Sequence, residues 1–268
     1  MPGWPIPVYS DDFRPHDGQF EGSIRIFVLR FTRQICMAGK YKLRQFAEVT
    51  SFPNVLEAFD FEDGLLNISR DKQVRMKGAW RDRFFGNDHP LCLELACGKG
   101  EYSVGLARLY PHRNFVGVDI KGNRIWKGAS EAIHHNLANV GFLRSRIEFI
   151  NHYFSQEEVS EIWIVFPDPF LRYRDHKRRL TSRPFLDRYR DLLKDQSILH
   201  LKTDSEELYR YTLSTIEAHE NFTLEIAESD IDQHPRSEEL AIRTYYEMQH
   251  IGNGKTIKYI RARFRAGS

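Results

Sequence analysis

Cysteine is scarce in this 268-residue chain, which carries three thiols, Cys36, Cys92 and Cys97. None forms a C-x-x-C pair and no Cys/His spacing resembles a zinc site, which excludes a disulfide framework and a structural zinc module. No metal ligand set is expected. A reducing, cytoplasmic setting is expected, with Cys92 and Cys97 as small core residues. Long apolar runs are also missing. No stretch reaches the roughly 20 residues that cross a bilayer. The patch Ile24–Phe31 is interrupted by Arg25 and Arg30, so it suits neither a span nor a signal-peptide core. There is no internal repeat. Net charge is nearly absent, +2 from 39 Lys and Arg against 37 Asp and Glu, so overall charge gives no reason to expect a polyanion. With 41% hydrophobic and 28% charged residues, the chain reads as one large α/β domain with a small appendage.

What is present is charge unevenly placed. From Arg172 to Arg190 eight Arg and Lys face two Asp, and from Arg70 to Arg83 six face two. Acidic residues gather between Glu206 and Glu239. That asymmetry predicts one polyanion-facing side and one acidic side. The basic stretch follows a distinctive segment. An apolar run, Ile162–Phe166, reads as a buried strand; it stops at Pro167, and Asp168 sits between two prolines before Arg172, Arg174, Lys177, Arg178 and Arg179. A carboxylate held stiffly at a strand end can grip or position a substrate, and cations beside it suggest phosphates. A Pro-rich turn before a solvated loop would look the same in isolation.

The remaining chain supplies a context. Residues 1–36 have Pro2, Pro5, Pro7, Pro15 and several glycines and no helical or strand period, so they are expected to be a disordered extension. The abrupt basic start at Met37 suggests that this methionine is the native start. Residues 37–88 read as a basic arm and lead-in helix, and residues 89–268 as the main domain. Within it, strands are expected at Leu91–Leu95, Asn114–Asp119, Arg146–Ile150, Ile162–Phe166, Ser197–Leu201, Phe222–Ile226 and Thr256–Phe264. Helices are expected at Glu101–Leu109, Lys121–Leu137, Ser182–Leu193, Ser205–Ala218 and Glu238–His250. This alternation predicts a Rossmann-like, mostly parallel sheet with helices on both faces and an antiparallel addition at one edge. Trp126 and Trp163 are expected in the core.

One strand-to-helix joint looks built for a nucleotide. Cys97-Gly98-Lys99-Gly100 lets backbone approach a ligand at a helix N-terminus. Asp119, twenty-one residues after Gly98, ends the next strand, where a carboxylate accepts from ribose hydroxyls. A dinucleotide needs a third glycine three residues after Gly100, but that position is Ser103. S-adenosylmethionine has no phosphate and suits an acidic strand end, Glu94, followed by a short glycine loop.

These motifs occur together in one family. The set L-E-L-A-C-G-K-G (Leu93–Gly100), G-V-D-I (Gly117–Ile120), F-P-D-P-F (Phe166–Phe170), H-K-R-R-L (His176–Leu180), L-K-T-D (Leu201–Asp204) and T-Y-Y-E (Thr244–Glu247) resembles the bacterial tRNA (guanine-N7)-methyltransferases, class I enzymes dependent on S-adenosylmethionine. The resemblance runs from about Lys40 to Arg263. It implies a seven-stranded sheet with the last strand antiparallel, and methylation of a variable-loop guanine in tRNA. It implies that Glu94 and Asp119, with Gly98 and Gly100, hold the cofactor, and that Asp168 lies between cofactor and base. Arg172 takes a place where the family usually has Lys, and Asp204, Thr244 and Glu247 match its substrate contacts. No obligate protein partner and no membrane are implied.

Three positions depart from the pattern. Ala96 replaces a frequent glycine and is expected to be harmless one step before the tight turn. Arg146 falls about where many members carry an Asp near the adenine, so it is expected among the cofactor-binding residues, with backbone or Glu148 as the alternative adenine contact. The arm Lys40–Arg44 is short on lysine. Chemically, guanine N7 has an exposed lone pair and no proton, so the site must align atoms and needs no general base. Asp168 is expected to position the base, with Asp204 and Glu247 assisting, and Arg172, Lys177, Arg178 and Arg179 are expected to bind phosphates. His176 either stacks on a nucleotide or is solvated, and the Arg70–Arg83 cluster either extends the RNA footprint or forms a solvated face. Two other readings stand beside this one. An amino-methylating enzyme would carry D-P-P-Y, but the second proline is missing and Phe170 follows directly. A catalytically silent tRNA-binding protein need not keep Glu94, Asp119 and Asp168 together.

Overall fold

The computed structural model describes residues 42–267, apart from Phe59, Phe61, Glu62, Arg70, Asp71 and His234. The extension expected over residues 1–36 lies outside them, as does the start of the Lys40–Arg44 arm. The chain enters through helix α1 (residues 42–49) and strands β1 (Val55–Glu57), β2 (Leu65–Ser69) and β3 (Lys72–Arg75). Then come β4 (Leu91–Leu95), α2 (Glu101–Leu109), β5 (Asn114–Asp119), α3 (Gly122–His134) and β6 (Val140–Arg144). The second half holds β7 (Val159–Val165), α4 (Arg183–Arg190), β8 (Leu193–Thr203), α5 (Glu206–Glu217), β9 (Phe222–Glu228), α6 (Glu238–Ala241), α7 (Tyr245–Gly252) and β10 (Lys258–Phe264).

All ten strands form one sheet in the order β3-β2-β1-β6-β5-β4-β7-β8-β10-β9. The six strands from β1 to β8 in that order run parallel, and each edge carries two antiparallel additions. The expected seven strands are β4 to β10, with β10 antiparallel. The other three come from residues 55–75, which read as part of a lead-in arm. Every residue of β4 and β5 is buried, as central parallel strands covered on both faces must be. The helices α2 and α3 cover one face, packing Tyr102, Val104, Leu106, Ile125 and Ala129 against Phe142 and Trp163. On the other face α4 and α5 contribute Leu186, Tyr189, Leu208 and Ile216. Trp163 is buried as expected, while Trp126 is half-buried and donates to Glu48 of α1 at 2.9 Å.

Two expected elements differ. The strand expected at Arg146–Ile150 is displaced to Val140–Arg144, which pairs on both sides with β5 and β1. Residues Ile147–His152 instead curl into a 3-10 helix. The single helix expected over Glu238–His250 is broken into α6 and α7. The break is held from below: the buried Lys202 Nζ donates to the carbonyls of Leu240 at 3.0 Å and Ile242 at 3.1 Å. Thr244 then caps α7, its hydroxyl accepting from the Glu247 N–H at 3.2 Å. The remaining helices begin as read, with Ser205 accepting from the Leu208 N–H at 3.2 Å and Pro184 in the first turn of α4.

Candidate active site

The C-terminal ends of the parallel strands carry a row of charged residues. Following the sheet order, β1 ends in Glu57, β6 in Arg144 and β5 in Asp119. Next, β4 carries Glu94 one residue from its end, β7 leads to Asp168, and β8 leads to Asp204. In an open parallel sheet this edge is where ligands bind.

The centre of the row is a glycine cradle. Gly98 and Gly100 have φ of +56° and +69°, a region that favours glycine. A Cβ on Gly100 would lie 2.5 Å from the Phe142 ring and 3.2 Å from Gly128 Cα, so a side chain there would force α2 off α3. Asp119 accepts from the Gly98 N–H at 3.0 Å and the Lys121 N–H at 2.8 Å, which fixes its carboxylate beside the loop. Glu94 is buried and accepts from the Ser103 N–H at 2.8 Å and from the Ser103 hydroxyl. Burial pushes its carboxyl up to about 8, against the lowering effect of those Ser103 bonds. Lys99 is engaged elsewhere than with the two carboxylates, its ammonium 4.1 Å from the centre of the Tyr245 ring. Two carboxylates beside a glycine loop whose lysine is engaged with an aromatic ring fit a cationic nucleoside with free hydroxyls better than a diphosphate.

Ala96 corrects one expectation. It has φ +58°, so the replacement of glycine sits in the strained position itself and not one step before it. An L-residue there costs about 1 kcal/mol or slightly more, part of which is offset by the lower unfolded-state entropy of alanine. Ala96→Gly is therefore expected to stabilise the protein by up to about 1 kcal/mol, raising the thermal midpoint by roughly 2 °C. A lower midpoint by calorimetry would contradict this account of Ala96.

The Asp168 loop is strained and clamped. Phe166 and Phe170, on either side of it, have φ of +47° and +42°, uncommon for large side chains. Asp168 is exposed and accepts from the Phe170 N–H at 3.0 Å. Phe166 donates its N–H to the Lys202 carbonyl at 2.8 Å, and its ring stacks on His250 at 5.8 Å. Arg179 completes the clamp from below: it donates to the carbonyls of Pro169 at 2.8 Å and Phe170 at 3.1 Å and pairs with Glu207 at 2.5 Å. Its side chain is 1% exposed, so the expected phosphate contact by Arg179 does not fit. The left-handed turns point two carbonyls inward, and the guanidinium supplies their donors.

The neighbouring cations, Arg179 apart, lie on the surface. Arg172, Arg174 and Lys177 are exposed and take part in no salt bridge among the described residues. Arg178 is exposed, 3.5 Å from Asp175 and 4.4 Å above the Phe170 ring. Tyr173, 88% exposed, stands among them. His176 is half-buried, edge-on to Tyr173 and Tyr211, with Nε2 3.5 Å from Glu207.

Across the loop, Asp204 is held by Lys255 at 2.5 Å and His250 at 3.4 Å. Thr244 and Glu247 reach the same end of the sheet, but Glu247 is fully buried, one oxygen 2.8 Å from Lys202 Nζ and the other 3.2 Å from Arg236. It tethers α7 and offers no open acceptor. Arg146 lies beyond the row, half-exposed, with its guanidinium 3.3 Å from Glu148. In the Arg70–Arg83 cluster, Lys72 and Arg75 are exposed on the edge strand β3, and Lys77 donates to the Asn151 carbonyl at 2.7 Å.

A family model described as "Putative methyltransferase" matches residues 88–260. The tRNA (guanine-N(7)-)-methyltransferase of Christiangramia forsetii is 46% identical over 231 residues, 85% of this chain and 100% of its own. That of Bacteroides thetaiotaomicron is 46% identical over 84% of this chain and 86% of its own, and that of Lactococcus lactis subsp. cremoris 33% over 74% and 90%. The chain belongs to the tRNA (guanine-N(7)-)-methyltransferase family.

Solved structures agree on the fold alone. A 16S rRNA methyltransferase, KamB, superposes with a TM-score of 0.54 at 13% identity, over 73% of this chain and 97% of its own. An antibiotic-related methyltransferase does so with 0.51 at 15%, over 72% and 96%. Sequence reading misses two residues beside the Asp168 loop and its basic stretch. Lys202 was hidden inside a motif read for its aspartate, although a lysine in the buried run His-Leu-Lys-Thr was itself a signal. Tyr173 was masked by the arginines around it. Among the described residues no helix is long and apolar enough to cross a membrane, and no group of three His, Cys, Asp or Glu could hold a metal ion.

Proposed function

We propose that this chain transfers a methyl group from S-adenosylmethionine to N7 of a guanine in the variable loop of tRNA, acting in the cytoplasm without an obligate protein partner. One observation carries the reading. The cradle of Glu94, Gly98, Gly100 and Asp119 adjoins the exposed Asp168, which follows the end of the neighbouring strand β7, and Arg172, Arg174 and Lys177, without a salt bridge among the described residues, follow directly.

When bound, S-adenosylmethionine supplies a methyl carbon made electrophilic by its sulfonium. Glu94 would take the methionine ammonium and Asp119 the ribose hydroxyls. Guanine N7 carries a lone pair and no proton, so transfer to it, with the C–S electron pair left on sulfur, would require these residues to align the two partners and not to move a proton. Asp168 has two tasks on that path. It positions the base edge, and it stabilises the positive charge that grows on the guanine ring. Asp204 would assist from the end of β8, where it meets His250, whose ring stacks on Phe166 beside the same loop. Arg172, Lys177 and Arg178 hold phosphates, and the Tyr173 ring offers a face to an unpaired base.

The test is methyl transfer from labelled S-adenosylmethionine to unmodified tRNA, followed by nuclease digestion and nucleoside identification. N7-methylguanosine is expected, with turnover lowered about a hundredfold or more in Asp168→Ala and cofactor binding retained. An N-methylated exocyclic amine would overturn the base pocket, and cofactor binding without transfer to any tRNA would overturn the acceptor.

A further inference from the structure

We propose that Arg144, held in place by Glu57, forms the wall against which the adenine ring of the cofactor stacks. The inference rests on the assignment of the cofactor to Glu94 and Asp119, and it follows from direction. With the methionine end at β4 and the ribose at β5, the ligand points along the row away from β7. The next strand ends in that direction are β6 and then β1, and they present Arg144 and Glu57. Register places these residues together: Asp119 lies opposite Arg144, and Arg144 opposite Glu57. Opposed residues of parallel strands project to the same face, so all three side chains share the face of the ribose carboxylate.

The local contacts suit a stacking wall. Arg144 Nη1 is 2.8 Å from Glu57 Oε1, and Arg144 Nε donates to the Ile120 carbonyl at 3.4 Å. That carbonyl belongs to the residue after Asp119, so the guanidinium lies beside the turn that carries the ribose site. The Arg144 side chain is 26% exposed, whereas that of Glu57 is only 3% exposed. The glutamate is therefore the buried anchor and the arginine the reachable surface. Phe46 of α1 lies 5.3 Å from the guanidinium and Ile120 is 45% exposed, which completes an apolar rim. A planar guanidinium stacks on aromatic faces in a way that a lysine ammonium does not. Arg146, two residues on, is engaged with Glu148 and contributes nothing to this face.

The experiment is calorimetric titration with S-adenosylhomocysteine. Arg144→Ala is expected to weaken binding about five- to thirtyfold, the range of a partly desolvated cation–π contact. Arg144→Lys keeps the charge against Glu57 and is expected to lose most of the same affinity, so a folding defect in the alanine variant would not hide the result. Glu57→Gln acts by positioning. It is expected to weaken binding in the wild-type background and to have no further effect beside Arg144→Ala, a coupling that general loosening of the fold would not produce. Unchanged affinity in both Arg144 variants, or a larger loss in Arg146→Ala than in Arg144→Ala, overturns the proposal. Failure of the unaltered protein to bind S-adenosylhomocysteine would instead remove the cofactor assignment on which it rests.

Discussion

Glu94→Gln is expected to abolish cofactor binding and, at the same time, to raise the melting temperature of the ligand-free protein at pH 8. Both effects come from one buried carboxyl. Burial holds Glu94 at about 8, with Asp119 and Glu101 adding to the rise and Ser103 opposing it. In the unfolded chain the same group ionises near 4.5. Below pH 4.5 both states hold the proton, and folding is indifferent to it. Between 4.5 and about 8 the unfolded state has lost its proton while the folded state keeps it, so stability falls as pH rises. At about 1.4 kcal/mol per pH unit, the loss is on the order of 5 kcal/mol and complete above pH 8. Glutamine never ionises, so the variant should lack this decline. Thermal melts of both proteins from pH 5 to pH 8.5 check the sign, and parallel curves would refute it. Ligand binding runs the other way. A methionine ammonium calls for the ionised carboxylate, so near neutral pH binding expels a proton. Wild-type affinity should rise with pH, up to about tenfold per unit, and level off near pH 8. Titration in buffers of different ionisation enthalpy reads that proton directly.

The central strands were legible because they are covered on both faces. Leu91–Leu95 and Asn114–Asp119 are continuous apolar runs whose ends coincide with the residues that matter, Glu94 and Asp119. The outer strands were not. β3 is a polar edge strand, Lys-Gln-Val-Arg, and β1 has three residues; β1 exists because β6 offers it an edge and β3 because β2 does, which is tertiary information. The β6 region holds two apolar runs in succession, and local pattern cannot say which pairs. The first does, since it fits between β5 and β1, and Gly141 allows the Phe84 ring to lie against its backbone. Within the site, spacing singled out Glu94 and Asp119, which the fold sets on neighbouring strands beside the glycine loop, but could not separate Arg178 from Arg179. Adjacent arginines in a basic run look alike until the chain turns one of them inward. Glu247 was legible as important but not in its role, because its partners Lys202 and Arg236 are 45 and 11 residues away.

Arg179→Ala should destabilise the protein by about 3–5 kcal/mol, whereas Arg178→Ala should cost less than about 0.5 kcal/mol. The difference lies in what each guanidinium satisfies. Removing Arg179 leaves the Pro169 and Phe170 carbonyls without their donor in a buried site, at roughly 1–3 kcal/mol each. It also opens a cavity beneath Tyr211, whose ring lies 4.4 Å from the guanidinium. Glu207 is 48% exposed and can return to water, so the lost ion pair is the smaller part. The effect on catalysis follows from the strain at Phe166 and Phe170, which persists only while the surroundings impose it. Freed from Arg179, the loop relaxes and Asp168 leaves its position, so turnover falls while the salt dependence of tRNA binding stays as it was. Arg178→Ala should do the reverse, keeping stability and reducing the salt slope by about one. Urea denaturation, single-turnover methyl transfer and binding at several salt concentrations separate the two. A stable Arg179→Ala protein with a reduced salt slope would return Arg179 to the phosphate-binding surface.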